Sequence, residues 1–328
     1  MAELARTDKE RAPQSRQEVL YWLEGGRIGG QAAVRYLEQF AAGRERISGP
    51  ELAPVRRDVR DSALEELDAL VGLHQVKTMV REIQAFVEIQ RRRQNAGLKA
   101  EAHLLHMVFK GPPGTGKTTV ARILGKVFRA HEVLTKGHLV EVERADLVGE
   151  YIGHTAQKTR EAIRRALGGI LFVDEAYALA RGGAKDFGKE AIDTLVKAME
   201  DQKGQFVLIL AGYPKEMDAF IEMNPGLRSR FSTIVDFPDY SAHELVAIIR
   251  HMLREREYQL AADVDTELER YFERVQATLH PHAGNARMAR NMVEHAMRRQ
   301  ALRLVRLLRD PSREELMELR WSDFQPLR

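Results

Sequence analysis

Residues 111–119 read Gly-Pro-Pro-Gly-Thr-Gly-Lys-Thr-Thr, a Gly-x-x-x-x-Gly-Lys-Thr spacing set between a short apolar run and an amphipathic one. Residues of these types at this spacing can grip a polyphosphate. Glycines allow successive backbone N–H groups to converge on phosphate oxygens. Lys117 adds a point charge for the β- and γ-phosphates, Thr118 offers a hydroxyl to Mg2+, and the N-terminus of the following helix adds its partial positive charge. Gly111, Pro112, Pro113, Gly114, Thr115, Gly116, Lys117, Thr118 and Thr119 are therefore candidate ATP contacts, with Lys117 also acting on the transferred phosphate. Further along, four apolar residues, Ile170 to Val173, end in Asp174-Glu175. A buried strand ending in two carboxylates is costly unless they meet a cation. Asp174 is suited to share the metal shell with Thr118, and Glu175 to orient and deprotonate an attacking water. Together the two segments predict hydrolysis of ATP with Mg2+.

The elements around these residues must hold them at one sheet edge. "HMVFK", "HLVEVE", "GILFVDE", "FVLILAGY" and "TIVDF" read as strands, and "TTVARILGKVFRAH", "AQKTREAIRRAL" and "GKEAIDTLVKAMED" between them as helices. Strand–helix alternation implies a parallel sheet covered on both faces. A helical stretch from Leu64, interrupted by a turn at Gly72, precedes it, and from Ser241 onward the pattern is wholly helical. At the other end, residues 1–13 show no periodicity, two helical stretches within 14–42 flank "EGGRIGG", and a Gly/Pro linker follows. The domains expected are 1–62, a helical N-terminal extension with its linker; 63–240, an α/β domain; and 241–328, an all-α domain.

The composition allows a core and excludes several classes. Of 328 residues, 44% are hydrophobic and 30% charged, which is ordinary for a soluble globular chain. The absence of cysteine excludes disulfides and thiolate metal sites and fits a reducing, cytoplasmic setting. No apolar run reaches the roughly 20 residues of a membrane span, so no membrane partner is expected. A net charge of +3 is too weak a field to argue for nucleic acid.

These segments together resemble the AAA+ ATPases from about Leu64 to Leu308. Within that superfamily, "VERADLVGEYIGHTAQKTREAIRRALGGILFVDEAYALARGGAKDFGKEAIDTL" and "AGYPKEMDAFIEMNPGLRSRF" are similar to the stage V sporulation protein K family, with the red-type rubisco activases as near relatives. The resemblance implies that the all-α domain is a lid, and that Val71 and Gly72, in Leu70-Val71-Gly72-Leu73, pack near adenine. It further implies that Arg230, or else Arg228, is an arginine finger for a neighbouring subunit, and that Arg287 in "GNARMARN" contacts nucleotide from the lid. One departure stands out: where many relatives place Asn, Ser or Thr to position the water, this chain has Ala211-Gly212-Tyr213, leaving Tyr213 as the candidate there.

The stretch Gly149-Glu150-Tyr151-Ile152-Gly153-His154-Thr155 puts a bulky apolar pair between glycines. In the resembling remodelling enzymes, an aromatic–hydrophobic–glycine element at this point faces the pore of a ring. Tyr151, Ile152 and Gly153 are similar, and tyrosine suits a sequence-tolerant grip on a partner. "ARGGAKDFG" is the weaker candidate for a second such loop. The leading expectation is an ATP-driven remodeller of a protein substrate, working as a homohexameric ring with a sporulation-related role. A rubisco-activase-like remodeller and a DNA-associated motor or loader are the alternatives. A scaffold in which ATP only sets assembly is opposed by Glu175 and the two arginines.

Overall fold

The computed structural model describes residues 57–99, 105–151, 153–181, 186–278 and 285–325, together with Val19, Trp22 and Ala32. The chain divides into two units, Met1–Asp58 and Val59–Arg328. Of the hairpin expected over 14–42, only those three single residues are described, and each is helical; the rest of it, and nearly all of the linker, lies outside the described residues.

The second unit begins within helix α1 (Arg57–Ala69), which is followed by α2 (His74–Asn95). The turn expected at Gly72 separates them, with Gly72 and Leu73 both at positive φ. Five strands follow: β1 (Met107–Lys110), β2 (Leu139–Val142), β3 (Ile170–Val173), β4 (Val207–Gly212) and β5 (Thr233–Asp236). They form one parallel sheet in the order β2-β3-β4-β1-β5. β3 and β4 are buried at every position, as continuous apolar strands must be when helices cover both faces.

Helix α3 (Lys117–Ala130) shows why the covering layer forms. Val120, Ile123, Leu124, Val127 and Phe128 recur on one face and are buried, the i, i+3, i+4 stripe of an amphipathic helix. With Phe109, Phe172 and Phe237 they belong to the core on one side of the sheet, which continues into the C-terminal helices. The opposite face buries a second cluster beneath α5 (His154–Ala166), α6 (Gly188–Asp201) and α7 (Pro214–Glu222). Truncating one of the fully buried phenylalanines would cost about 3–5 kcal/mol. The two short helices between strands and layers are α4 (Arg144–Leu147) and α8 (Pro225–Arg228).

The C-terminal region is built from α9 (Ala242–Arg254), α10 (Val264–Thr278) and α11 (Asn285–Val305), followed by α12 (Arg313–Met317) and α13 (Trp321–Phe324). Ser241 and Glu244 form a reciprocal capping box that fixes the start of α9. The expectation of a wholly helical region is corrected in one respect. Gln259–Leu260 (β6) and Glu318–Leu319 (β7) pair as a small parallel sheet. Two-residue strands carry no alternation for a sequence reading to detect. The Gln300 side chain ties down the chain before β7, donating to the carbonyls of Glu315, Leu316 and Glu318 at 2.9–3.2 Å. Arg303 closes the same region through a largely buried pair with Asp323 at 3.0 Å. Among the described residues, no helix is long and apolar enough to cross a membrane.

Candidate functional site

The C-terminal ends of β1, β3 and β4 and the start of α11 surround a cavity of about 330 Å³. Its lining includes Gly111, Pro113, Gly114, Gly116, Lys117, Thr118, Thr119, Asp174 and Glu175, together with Gly212, Tyr213, Ala286, Arg287 and Arg290. The two motif segments, far apart in sequence, are therefore brought together, because β1 and β3 both flank β4 in a parallel sheet.

Local geometry explains the loop. Gly116 caps α3 at φ 94°, ψ 9°, a conformation that favours glycine. Thr115 is fully buried, and its hydroxyl donates to the Pro112 carbonyl at 2.8 Å. This side chain holds the loop closed, so Thr115 can offer a ligand only its backbone. Lys117 Nζ donates to the Gly111 and Pro112 carbonyls, both at 2.7 Å. Burial pushes its ammonium down to about 8, with Asp174 opposing the shift and Arg287 adding to it. Thr118 Oγ1 lies 3.5 Å from Glu141 on β2, a carboxylate near the metal side of the loop that motif reading did not single out.

At the end of β3, Asp174 Oδ1 accepts from the Glu175 amide at 3.0 Å. Glu175 adopts the left-handed region at φ 46°. A 3-10 turn, Ala176–Ala180, follows. In it, burial and the neighbouring Glu175 carboxylate push the Tyr177 phenol up to about 12. Three cations of the lining, Lys117, Arg287 and Arg290, face two carboxylates, Asp174 and Glu175. That excess suits a triphosphate, and a hydroxyl beside a carboxylate suits Mg2+, which prefers oxygen ligands.

Sequence reasoning missed the residues that join this loop to the C-terminal region. Asn285, the first residue of α11, is buried and at φ 40°. Its Oδ1 accepts from the Tyr240 amide at 3.0 Å, and its Nδ2 donates to Asp239 Oδ1 at 2.7 Å. The next amide, of Ala286, donates to the Gly114 carbonyl at 3.2 Å. The Tyr240 hydroxyl donates to the Thr115 carbonyl at 3.2 Å. Arg290, one turn beyond Arg287 on α11, was missed as well; the 3.6-residue helical period was the available signal.

Not every expected residue lines the cavity. Val71 and Gly72 do not; Leu73 marks their approach, with its Cδ1 3.6 Å from where a Cβ on Gly116 would lie. Pro112 acts through its carbonyl toward Lys117 and Thr115. Arg228 and Arg230 also lie off the cavity of their own chain. Arg230 pairs with Glu200 and donates to the Gly226 carbonyl at 2.7 Å. Arg228 is exposed, with no side-chain partner among the described residues. Tyr151 is 66% exposed and contacts the His154 ring edge-on at 5.4 Å. It sits on a loop rooted by the Thr155 hydroxyl, which accepts from the Gly149 amide at 2.9 Å. Gly153, at φ 83°, caps α5. Ile152 and residues 182–185 of the second loop lie outside the described residues.

Residues 107–239 match the family described as ATPase family associated with various cellular activities (AAA), and residues 241–328 match the AAA lid domain. The chain is 57% identical over 241 residues to stage V sporulation protein K of Bacillus subtilis, covering 73% of this chain and 75% of that one. It is 48% identical over 245 residues to protein CbbX of Cereibacter sphaeroides, covering 74% and 78%. It is 46% identical over 243 residues to the chloroplastic ribulose bisphosphate carboxylase/oxygenase activase of Cyanidioschyzon merolae, covering 74% and 82%. Among solved structures, a single-site variant of Thermotoga maritima RuvB shares the fold. Its TM-score is 0.50 at 18% identity, covering 79% of this chain and 69% of that one.

Proposed function

This chain belongs to the AAA family of ATPases, carries an AAA lid domain and hydrolyses ATP; from that premise we propose that it works as a homohexameric ring that couples hydrolysis to remodelling of a protein substrate gripped by Tyr151. The observation that carries this reading is the exposure of Tyr151, 66% accessible on a rooted loop outside the phosphate cavity. A large aromatic left in water offers contact area to a partner rather than to its own core. The higher identity to the sporulation protein than to the activases favours a sporulation-linked substrate. In this reading residues 63–240 form the ATPase body, 241–328 the lid, and 1–62 an N-terminal extension whose hairpin, 14–42, is the adaptor for partners.

Within the site, Lys117 exchanges its loop carbonyls for the β- and γ-phosphate oxygens, and Arg287 approaches from the lid. Val71 and Gly72 lie toward adenine. Thr118 and Asp174 are the residues that would hold magnesium, which when bound supplies charge neutralisation on the phosphates. Glu175 takes the proton of the attacking water, with Tyr213 lining the same cavity. Arg228 and Arg230 serve the site of the next subunit, which accords with their position off their own cavity.

Capture tests the grip. Glu175→Gln should hold ATP and retain a protein substrate in a pull-down, and adding Tyr151→Ala should release it. Truncating a buried aromatic costs about 3–5 kcal/mol, but the exposed Tyr151 should cost about 1, a melting shift of about 2–4 °C. A doubly substituted protein that captures the same substrate, or a Tyr151→Ala protein that melts about 10 °C lower, would overturn the reading.

A further inference from the structure

Arg144 lies outside the phosphate cavity, yet its guanidinium joins three segments. It is the first residue of α4, the single turn that leads into the Tyr151 loop. Its Nη1 donates to the Ala178 carbonyl and its Nη2 to Asp186, both at 2.7 Å. The other Asp186 oxygen accepts from the Gly188 amide at 2.6 Å, which fixes the start of α6. Gly188 has no room for a side chain, since a Cβ there would collide with the Leu179 carbonyl and stand 2.9 Å from Arg144 Nη1. The root of the Tyr151 loop, the turn after Glu175 and the start of α6 are thus packed around one side chain. A forked, planar donor can serve acceptors on two different segments at once, which an ammonium cannot do in the same geometry.

The far end of this unit is the hydrolysis site. The Ala178 amide donates to the Glu175 carbonyl at 2.7 Å. Glu175 is held in its left-handed conformation by Asp174 Oδ1, the same carboxylate assigned above to the metal shell. If Asp174 turns toward a cation, the Glu175 amide loses its partner and an unfavourable backbone loses its support. Tyr177 in the same turn packs on Gly212 and lies 6.2 Å, ring to ring, from Tyr213. Both Gly212 and Tyr213 line the cavity. The turn therefore touches the nucleotide site at two points, and Arg144 touches the turn.

We infer that Arg144 is a positioning residue that carries rearrangement of the Glu175–Ala180 turn to the Tyr151 loop, so that the nucleotide bound sets where the loop stands. This rests on the reading of that loop as the substrate grip.

The chain contains no cysteine, so a Tyr151→Cys protein labelled with bimane reports on the loop alone. Its emission is compared at saturating Mg-ADP and Mg-ATPγS. The labelled parent should differ between the two. Adding Arg144→Ala should abolish the difference while leaving the Kd for a fluorescent ADP analogue unchanged. Arg144→Lys, which keeps the charge but not the fork, should behave the same way. If Arg144→Ala does not fold, Arg144→Lys and Asp186→Asn carry the test. A merely structural role would lower melting temperature and nucleotide affinity together and leave the difference between nucleotides intact. Retention of the full difference in the folded variants overturns the inference. A labelled parent that shows no difference overturns the substrate-loop reading instead, and the coupling falls with it.

Discussion

The sharpest test of how the lid is joined to the phosphate loop is an exchange of two side chains. In Asn285→Asp, the amide donor facing Asp239 at 2.7 Å becomes a second carboxylate, while the acceptor for the Tyr240 amide remains. Loss of a hydrogen bond to a charged group costs about 1.5–3 kcal/mol. Asp239 is exposed, so water screens the new repulsion, and about 1 kcal/mol is added. The expected destabilisation of about 3 kcal/mol corresponds to a melting temperature lower by about 6–12 °C. Asp239→Asn alone keeps an acceptor for Asn285 and should cost under about 1 kcal/mol. Combining the two restores the pair with residue 239 with its ends reversed, leaving only the long 3.5 Å donation to the Pro113 carbonyl unrestored, and stability should return to within about 1 kcal/mol of the parent. The assay is thermal and urea unfolding of all four proteins, with ADP affinity measured alongside. Because Ala286 bonds Gly114 next door, affinity should fall in Asn285→Asp and recover in the pair. A double variant that loses the sum of the single effects in stability and affinity would refute the latch.

Three further outcomes follow from the site. Glu175→Gln should keep ATP binding and lose turnover by about 10²–10⁴-fold, whereas Lys117→Ala should weaken binding itself; equilibrium titration and phosphate release separate the two. Burial holds Lys117 down to about 8, and phosphates favour its charged form, so ATP binding takes up a proton. Affinity measured between pH 7 and pH 9 should therefore fall by about tenfold, and a flat profile would contradict the assignment. Finally, mixing Arg230→Ala subunits with Lys117→Ala subunits should recover partial turnover where an intact arginine meets an intact site, while a ring made only of Arg230→Ala should stay slow; the same experiment with Arg228→Ala tells which arginine reaches across.

The parts of the site visible in the sequence are those whose neighbours in space are also neighbours in the chain. The loop 111–119 and the Asp174-Glu175 pair each carry their chemistry within a few residues, and β3 and β4 carry continuous apolar runs. Asn285 reaches Pro113 across a separation of 172 residues, and nothing in its local pattern distinguishes it from any polar residue at a helix start. Arg144 was likewise unremarkable, since a single arginine acquires its role only when the sheet brings Ala178 and Asp186 beside it. The β6–β7 pair escaped because two residues are too few to show a period. Arg228 and Arg230 were singled out only through resemblance, and within one chain they stand apart from the cavity.

The strand order also bears on how this protein comes into being on the ribosome. β1, which carries the phosphate loop, is flanked in the sheet by β4 and β5, which begin only at Val207 and Thr233. Until those segments have been synthesised, the apolar strand Met107–Lys110 has no partner on either side, and loop closure over such separations is slow. Asn285 and Arg287 emerge later still. A nascent chain thus displays the glycine-rich loop long before it can hold a nucleotide, and during that interval β1, an inner strand of the finished sheet, is an open edge inviting wrong pairing. Nucleotide cannot chaperone the early stages of this fold; it can only seal a body already assembled.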